Sequence, residues 1–148
     1  MKRFKNMLVV YDDAIGGDDA LGQAVALARE NRARISIVTI AREGQLSPRN
    51  IDETEKRLQR LALSVRHAGV SEVQTTVLTG TPFLEIIRRV VEGQHDLVIA
   101  SAEAGSVLKN VFFGSTATQL MRKCPCPVWV VKPGQSNPYV KILVAVDP

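Results

Sequence analysis

Cysteine is scarce in this sequence: its 148 residues include two, Cys124 and Cys126, each followed by a proline. A disulfide between residues this close in sequence would be strained, and there is no third cysteine to serve as a partner. Two thiols without nearby histidines also make a poor zinc site. The sequence therefore predicts reduced, buried or half-buried thiols at the start of a strand, as is typical of a cytoplasmic protein.

Aromatic residues and long apolar segments are also few. Aromatic side chains make up 5% of the sequence, which leaves little surface on which single-stranded nucleic acid could stack. No apolar run approaches the length of a membrane span, and the first residues lack the apolar region and cleavage site of a signal peptide. We therefore expect a cytoplasmic protein whose partners are neither nucleic acids nor membranes.

The positive charge is modest and mixed with negative charge. The net charge is +4, and much of it falls on a predicted helix whose arginines and lysines are interspersed with Asp52, Glu53 and Glu55. Such a mixture is typical of a solvated helix face rather than a nucleic-acid surface.

Short apolar segments, several of them rich in β-branched residues, alternate with amphipathic ones. The apolar segments predict strands at residues 7–11, 33–40, 72–79, 97–100 and 128–131. Partial polar alternation in the third segment suggests a strand at the sheet edge. A chain of this length suits one domain, and strands that alternate with helices predict a parallel sheet covered on both faces.

Capping residues and glycines bound the predicted helices. Asp18 or Asp19 can cap a first helix that runs to about residue 31, and Gly69 ends a second helix at about residue 68. Thr81 followed by a proline begins a third helix, which ends near residue 93. Its predicted inner stripe consists of Leu84, Ile87 and Val91.

The stretch from Asp96 to Pro133 suggests a ligand site. A buried strand there is followed by a loop with Gly105 and Gly114, and Ser115 stands where the cap of a short helix belongs. Glycine lets backbone amides approach a ligand closely, and free amides at a helix start bind anions. This pattern predicts a phosphate-bearing ligand.

The expected topology points to the same place. Right-handed crossovers leave a few doubly wound strand orders, among them 3-2-1-4-5. In that order the winding reverses between the first and fourth strands, and ligands bind at such a reversal, beyond the strand carboxyl ends. The loops there are residues 12–17 and 102–114.

The end of the chain resembles its beginning. After a linker at residues 134–138, the segment YVKILVAVD (139–147) matches FKNMLVVYD (4–12), with Leu, Val and Asp recurring in register. We interpret residues 1–133 as one domain and residues 139–148 as the first strand of a second copy. The alternative is a sixth strand that completes this domain or pairs with a partner.

Three blocks of the sequence, MLVVYDD, DLVIAS and GSTATQLMRKCPCPVWVVKP, resemble the universal stress protein family. In the last block, a Gly-Ser/Thr pair, a short helix and Cys-Pro-Val before a closing strand are typical of that family, which also has tandem two-domain members. The resemblance implies a five-stranded, doubly wound parallel sheet of order 3-2-1-4-5, of the adenine nucleotide alpha hydrolase-like kind. It also implies a homodimer, or a pseudo-dimer with a second domain.

The resemblance further implies candidate contacts for an adenine nucleotide, namely ATP with or without Mg²⁺. Asp12 and Ile40 would contact the adenosine, Gly105 the ribose-phosphate region, and Gly114, Ser115 and Thr116 the phosphates. Nucleotide-binding members share a glycine, two residues, a second glycine, nine residues, and then glycine with serine or threonine. Here Ala102 replaces the first glycine, and eight residues rather than nine precede Gly114.

Three functions remain open at this point. The leading hypothesis is a stress-response protein that binds or senses ATP and signals through dimer or tandem-domain contacts. It would have little or no catalysis, because no Walker lysine or positioned base is evident, although slow ATP hydrolysis is compatible with it. The second is an interaction module of the same fold that binds no nucleotide. The third is an ATP pyrophosphatase, suggested by Gly16-Gly17-Asp18, although the flanking serines of that loop are missing.

Overall fold

A computed structural model describes residues 3–12, 16–41, 44, 46–101 and 115–134. Strands and helices alternate along the chain. The strands are β1 (Asn6–Val10), β2 (Arg34–Ala41), β3 (Val73–Thr79), β4 (Leu97–Ser101) and β5 (Val128–Val131), and the helices are α1 (Gly17–Asn31), α2 (Pro48–His67), α3 (Pro82–Gly93) and α4 (Ser115–Lys123). The predicted linker at residues 134–138 extends beyond the described residues, and the predicted repeat at 139–148 lies outside them.

The strands form one five-stranded sheet in the order β3-β2-β1-β4-β5. Every pairing is parallel, so the expected doubly wound topology is confirmed, with β3 at one edge. The winding reverses between β1 and β4, where Val10 pairs with Ala100. Among the described residues, no helix is long and apolar enough to cross a bilayer.

Each face of the sheet is covered by its own apolar layer. Side chains alternate across a strand, so Met7 and Val9 of β1 face one layer whereas Leu8 faces the other. The first layer contains the inner residues of α1 and α2, and the second contains those of α3 and α4. The central strands are therefore apolar on both faces, as parallel strands require.

The starts of two helices differ from the sequence prediction. Helix α1 has Gly16 as its N-cap, in the left-handed region with φ 68°, and no side chain caps it; the prediction that Asp18 or Asp19 caps α1 is wrong. Helix α4 begins at Ser115 itself, so the predicted cap is its first helical residue. Capping in α2 is conventional, since the Ser47 hydroxyl accepts a hydrogen bond from the Asn50 amide.

The inner stripe of α3 also differs from the prediction. Ile86 and Val90 are fully buried, whereas Leu84 is 50% exposed and Val91 62% exposed. Ile87, the third residue of the predicted stripe, is partly buried against the second layer. The helix has paired apolar residues at successive turns, and a helical period fits either member of each pair. Packing against the sheet selects the set with Ile86 and Val90.

Candidate functional site

The carboxyl ends of β1 and β2 are held level by hydrogen bonds that continue past β1. The Tyr11 amide donates to the Val38 carbonyl over 2.8 Å, and the Thr39 hydroxyl donates to the Tyr11 carbonyl over 2.8 Å. Val10 pairs with Val38, so extending this register by two residues sets Asp12 beside Ile40. By this extension, two residues that the family resemblance implies as adenosine contacts fall level at the carboxyl edge of the sheet.

Alternation also places these two residues on one side of the sheet. Ile40 packs against the layer shared with α3 and α4, together with Val38 and Val10. Asp12 follows Val10 by two residues, and alternation continued past the end of β1 would direct it to that same side. Both side chains are half-buried. An apolar group and a carboxylate therefore stand side by side at the strand ends.

A glycine turn closes the other side of this edge. A Cβ at Gly16 would lie 3.3 Å from the Ser101 Cβ and 3.2 Å from the Pro133 Cγ, so the carboxyl ends of β4 and β5 converge on the start of α1. A Cβ at Gly17 would lie 2.2 Å from the Asp12 carbonyl oxygen. The Gly16-Gly17 pair thus allows α1 to begin directly against the end of β1.

Two carboxylates in the first turn of α1 are engaged within the protein. The Tyr11 hydroxyl donates to Asp18 Oδ1 over 2.8 Å, and the Gly134 amide donates to Asp19 Oδ2 over 2.8 Å. These two carboxylates already interact favourably with the partial positive charge at the amino end of α1. They would also repel a pyrophosphate, which weighs against the pyrophosphatase hypothesis.

Helix α4 brings a second helix start to the side of the sheet that carries Ile40. Ala117 and Leu120 are buried, and Leu120 belongs to the layer shared with α3. Thr116, in the first turn, is half-buried. The amides of a first helical turn have no partner within the helix and suit an anion. Three predicted site residues, Ala102, Gly105 and Gly114, lie outside the described residues.

Ser101 and Pro133 were missed as crevice residues by the sequence analysis. Both follow from the strand order, because Ser101 ends β4 and Pro133 comes two residues after β5. Neither residue type signals a site by itself. Within the described part of the chain, no three histidine, cysteine, aspartate or glutamate side chains are grouped as a metal would require.

The two cysteines lie away from this edge, just before β5. Both are free and half-buried, and their sulfur atoms are 3.6 Å apart. Burial and the neighbouring Cys124 thiol raise the pKa of Cys126 to about 12. A neutral thiol is a weak nucleophile and metal ligand. The predicted free, half-buried thiols before β5 are confirmed by the absence of a disulfide between Cys124 and Cys126 and by their partial exposure.

Comparison with known proteins gives a consistent match. A family model described as the universal stress protein family matches residues 3–132. Universal stress protein E of Escherichia coli K12 is 32% identical over 166 aligned positions, which cover 99% of this chain and 51% of that protein. The chain therefore spans about half the length of the curated relatives it matches.

Solved structures share the fold at lower identity. A universal stress protein from Archaeoglobus fulgidus in complex with dAMP is 20% identical, with a TM-score of 0.68 over 89% of this chain and 100% of that one. A universal stress protein in complex with cAMP is 17% identical, with a TM-score of 0.68 over 85% of this chain and 96% of that one. At these identities the likeness shows a common fold.

Proposed function

The chain belongs to the universal stress protein family, and on that premise we propose that it binds an adenine nucleotide at the carboxyl edge of β1 and β4. The observation that carries this proposal is the β1–β2 register, which, extended by two residues, sets Asp12 level with Ile40 near the start of α4. A carboxylate, an apolar contact and an anion-binding helix start are the three groups that a nucleoside phosphate needs. Topology adds support, because ligands of open α/β sheets bind where the winding reverses.

Each group has a defined task in this proposal. Asp12 accepts hydrogen bonds from the ribose or the adenine, and Ile40 packs against the base. The first-turn amides of α4, with Ser115 and Thr116, hold the phosphates. The glycine loop, with Ala102, Gly105 and Gly114, completes the phosphate contacts. In this proposal Mg²⁺ would be carried largely by the phosphate oxygens of ATP rather than by a cage of protein ligands.

The comparisons favour an adenine nucleotide over other phosphate ligands. Two solved structures of the same fold are complexes with dAMP and cAMP, which share the adenosine and differ in the phosphate. We propose that ATP is the ligand here and that the protein senses it with little or no catalysis. The output would pass through a homodimer, or through a second domain of the longer protein. The edge strand β5 is available for such a contact within the described residues.

Isothermal titration of ATP with Mg²⁺ into the purified chain tests the proposal. Loss of one hydrogen bond to a charged group costs about tenfold in affinity or more, so Asp12→Asn should weaken binding by that amount. The Gly114→Val, Ser115→Ala double variant should abolish it. Asp52→Asn is the matched control, because its carboxylate pairs with Lys56 on exposed α2. No heat from the unmodified chain at millimolar ATP would refute nucleotide binding.

The second candidate is an interaction module of the same fold that binds no nucleotide. Ala102 at the position of the family glycine, and eight residues rather than nine before Gly114, favour it. If the backbone at Ala102 requires a positive φ, alanine would be strained by about 1 kcal/mol. Ala102→Gly separates the candidates: tighter ATP binding than the unmodified chain would show a working site with one imperfect contact.

A further inference from the structure

A second concave site lies at the opposite, amino-terminal edge of the sheet. Its volume is about 260 Å³, and it opens between the starts of β1, β2 and β3 and the end of α3. Alternation directs Asn6, Arg34, Ser36 and Gln74 to the side of the sheet that α3 covers. The space is smaller than the roughly 300–1,000 Å³ of pockets for drug-sized ligands, so it suits a small metabolite.

The cavity is lined by charges of both signs in equal number. Arg34 and Arg89 are positive, and Glu72 and Glu92 are negative. Within the described residues, neither arginine has a carboxylate within ion-pairing distance. The four charges are therefore available to a ligand that carries both signs.

Two nitrogen atoms of the lining residues are buried without a hydrogen-bond partner among the described residues: Arg89 Nε and His95 Nδ1. The Arg89 side chain makes one bond, from Nη2 to the Thr76 hydroxyl over 3.2 Å, which leaves the Nε–H unused. His95 is 8% exposed. Both atoms are buried out of reach of solvent, so a ligand in the cavity would instead meet the charged ends of the lining side chains.

His95 adds no third positive charge to this lining. Burial, and then the positive charge of Arg89, lower the pKa of His95, so its ring is neutral. The cavity therefore presents two positive and two negative side chains to a ligand.

The floor of the cavity is held in place by backbone bonds. Asp96 accepts from the Lys5 amide over 2.7 Å and the Asn6 amide over 3.0 Å. The Asn6 side chain donates to the carbonyls of Gly93 over 2.8 Å and Gln94 over 3.1 Å, which fixes the end of α3 against β1. A site that is rigid before binding loses little entropy when a ligand enters.

We propose that this cavity binds a small zwitterion with one carboxylate and one ammonium group, the chemistry of a free amino acid. The carboxylate pairs with the guanidinium groups of Arg34 and Arg89. The ammonium pairs with Glu72 and Glu92, and Glu92 lies near the carboxyl end of α3, where a helix favours positive charge. This site is separate from the proposed nucleotide crevice and does not depend on it.

The test follows backbone amide chemical shifts of the full chain by ¹⁵N NMR during addition of L-alanine. Propionate and ethylammonium, which each keep one charged group of alanine, are titrated in parallel. L-alanine should give saturable shifts at Asn6, Ser36 and Gly93, and each half-ligand should bind at least about tenfold more weakly because it pairs with side chains of one charge sign only.

Variants assign the contacts. Arg89→Gln and Glu92→Gln should each weaken L-alanine binding by about tenfold. Arg88→Gln should leave it unchanged, because Arg88 does not line the cavity and pairs with Glu85 on α3. Circular dichroism confirms that each variant is folded. If Arg89→Gln does not fold, the effect of Glu92→Gln, at an exposed residue, decides whether the cavity binds L-alanine. Absence of saturable shifts with L-alanine, equal binding of propionate alone, or equal effects of Arg88→Gln and Glu92→Gln would each overturn the proposal.

Discussion

Two glycines in the same helix should respond to alanine in opposite directions. Gly17 is the first residue of α1 and is buried against the end of β1, where an added Cβ would lie 2.2 Å from the Asp12 carbonyl oxygen. Gly22 lies one and a half turns later, is exposed, and has nothing within 4 Å of an added Cβ. The two substitutions add the same methyl group to one helix and differ in what it meets.

The size of each effect follows from this geometry. Overpacking costs about 1–3 kcal/mol, and a clash with backbone belongs at the upper end of that range. Alanine regains at most about 1 kcal/mol over glycine in helix propensity, so Gly17→Ala should lose about 2 kcal/mol. Gly22→Ala meets no obstacle and should gain about 0.5–1 kcal/mol.

Thermal denaturation followed by circular dichroism measures both changes. At about 3 °C per kcal/mol for a domain of this size, Gly17→Ala should lower Tm by about 6 °C and Gly22→Ala should raise it by about 2 °C. The amide resonances of Tyr11 and Asp12 should also shift in Gly17→Ala, because the carbonyl must move. A Gly17→Ala protein as stable as the unmodified chain would refute the close approach of α1 to β1.

Three further outcomes follow from burial and pKa. Ile86→Ala should lower the free energy of unfolding by about 2–5 kcal/mol, because Ile86 is fully buried, whereas Leu84→Ala should change it by less than about 0.5 kcal/mol. Urea denaturation measures both changes, and equal losses of stability would contradict the assigned buried face of α3. The pKa of His95 in the folded state is lowered from its ordinary value of 6.5, so as the pH falls the unfolded chain binds a proton at this residue before the folded chain does. The contribution of His95 to stability should therefore be complete above pH 6.5 and be lost progressively below it. His95→Gln should flatten that dependence in thermal melts, and an unchanged slope would exclude His95 as its source. Because the pKa of Cys126 is raised to about 12, its alkylation by iodoacetamide at neutral pH should be far slower in the folded protein than in urea; mass spectrometry of the peptides measures both rates, and equal rates would contradict the burial.

The sheet could be predicted because its determinants are local or topological. Apolar segments rich in β-branched residues specify buried parallel strands, and alternation with helices limits the strand order. The partly polar segment at residues 72–79 indicated an edge, and β3 lies there. The position of the carboxyl-edge crevice stays a prediction that rests on the same rules of strand order and register.

Helix faces and caps were less predictable, because they depend on tertiary packing. In α3, apolar residues adjoin one another, so spacing alone could not distinguish the stripe with Leu84 and Val91 from the stripe with Ile86 and Val90. In α1, Asp18 has a favourable cap chemistry, but its carboxylate bonds instead to the Tyr11 hydroxyl. Gly16 takes the cap position because β4 and β5 crowd it, a constraint that comes from residues more than eighty positions away.

The amino-edge cavity shows why some sites are invisible in sequence. Arg34 lies in β2, Glu72 directly precedes β3 and Arg89 lies in α3, so these residues form no recognisable motif in the sequence. The β2–β3 register pairs Ile35 with Val73 and so brings Arg34 level with Glu72, while the bond of Asn6 to Gly93 fixes the end of α3 beside them. Charged residues near strand starts are ordinary in sequence, and it is the fold that gathers four of them around one cavity without ion pairs among the described residues.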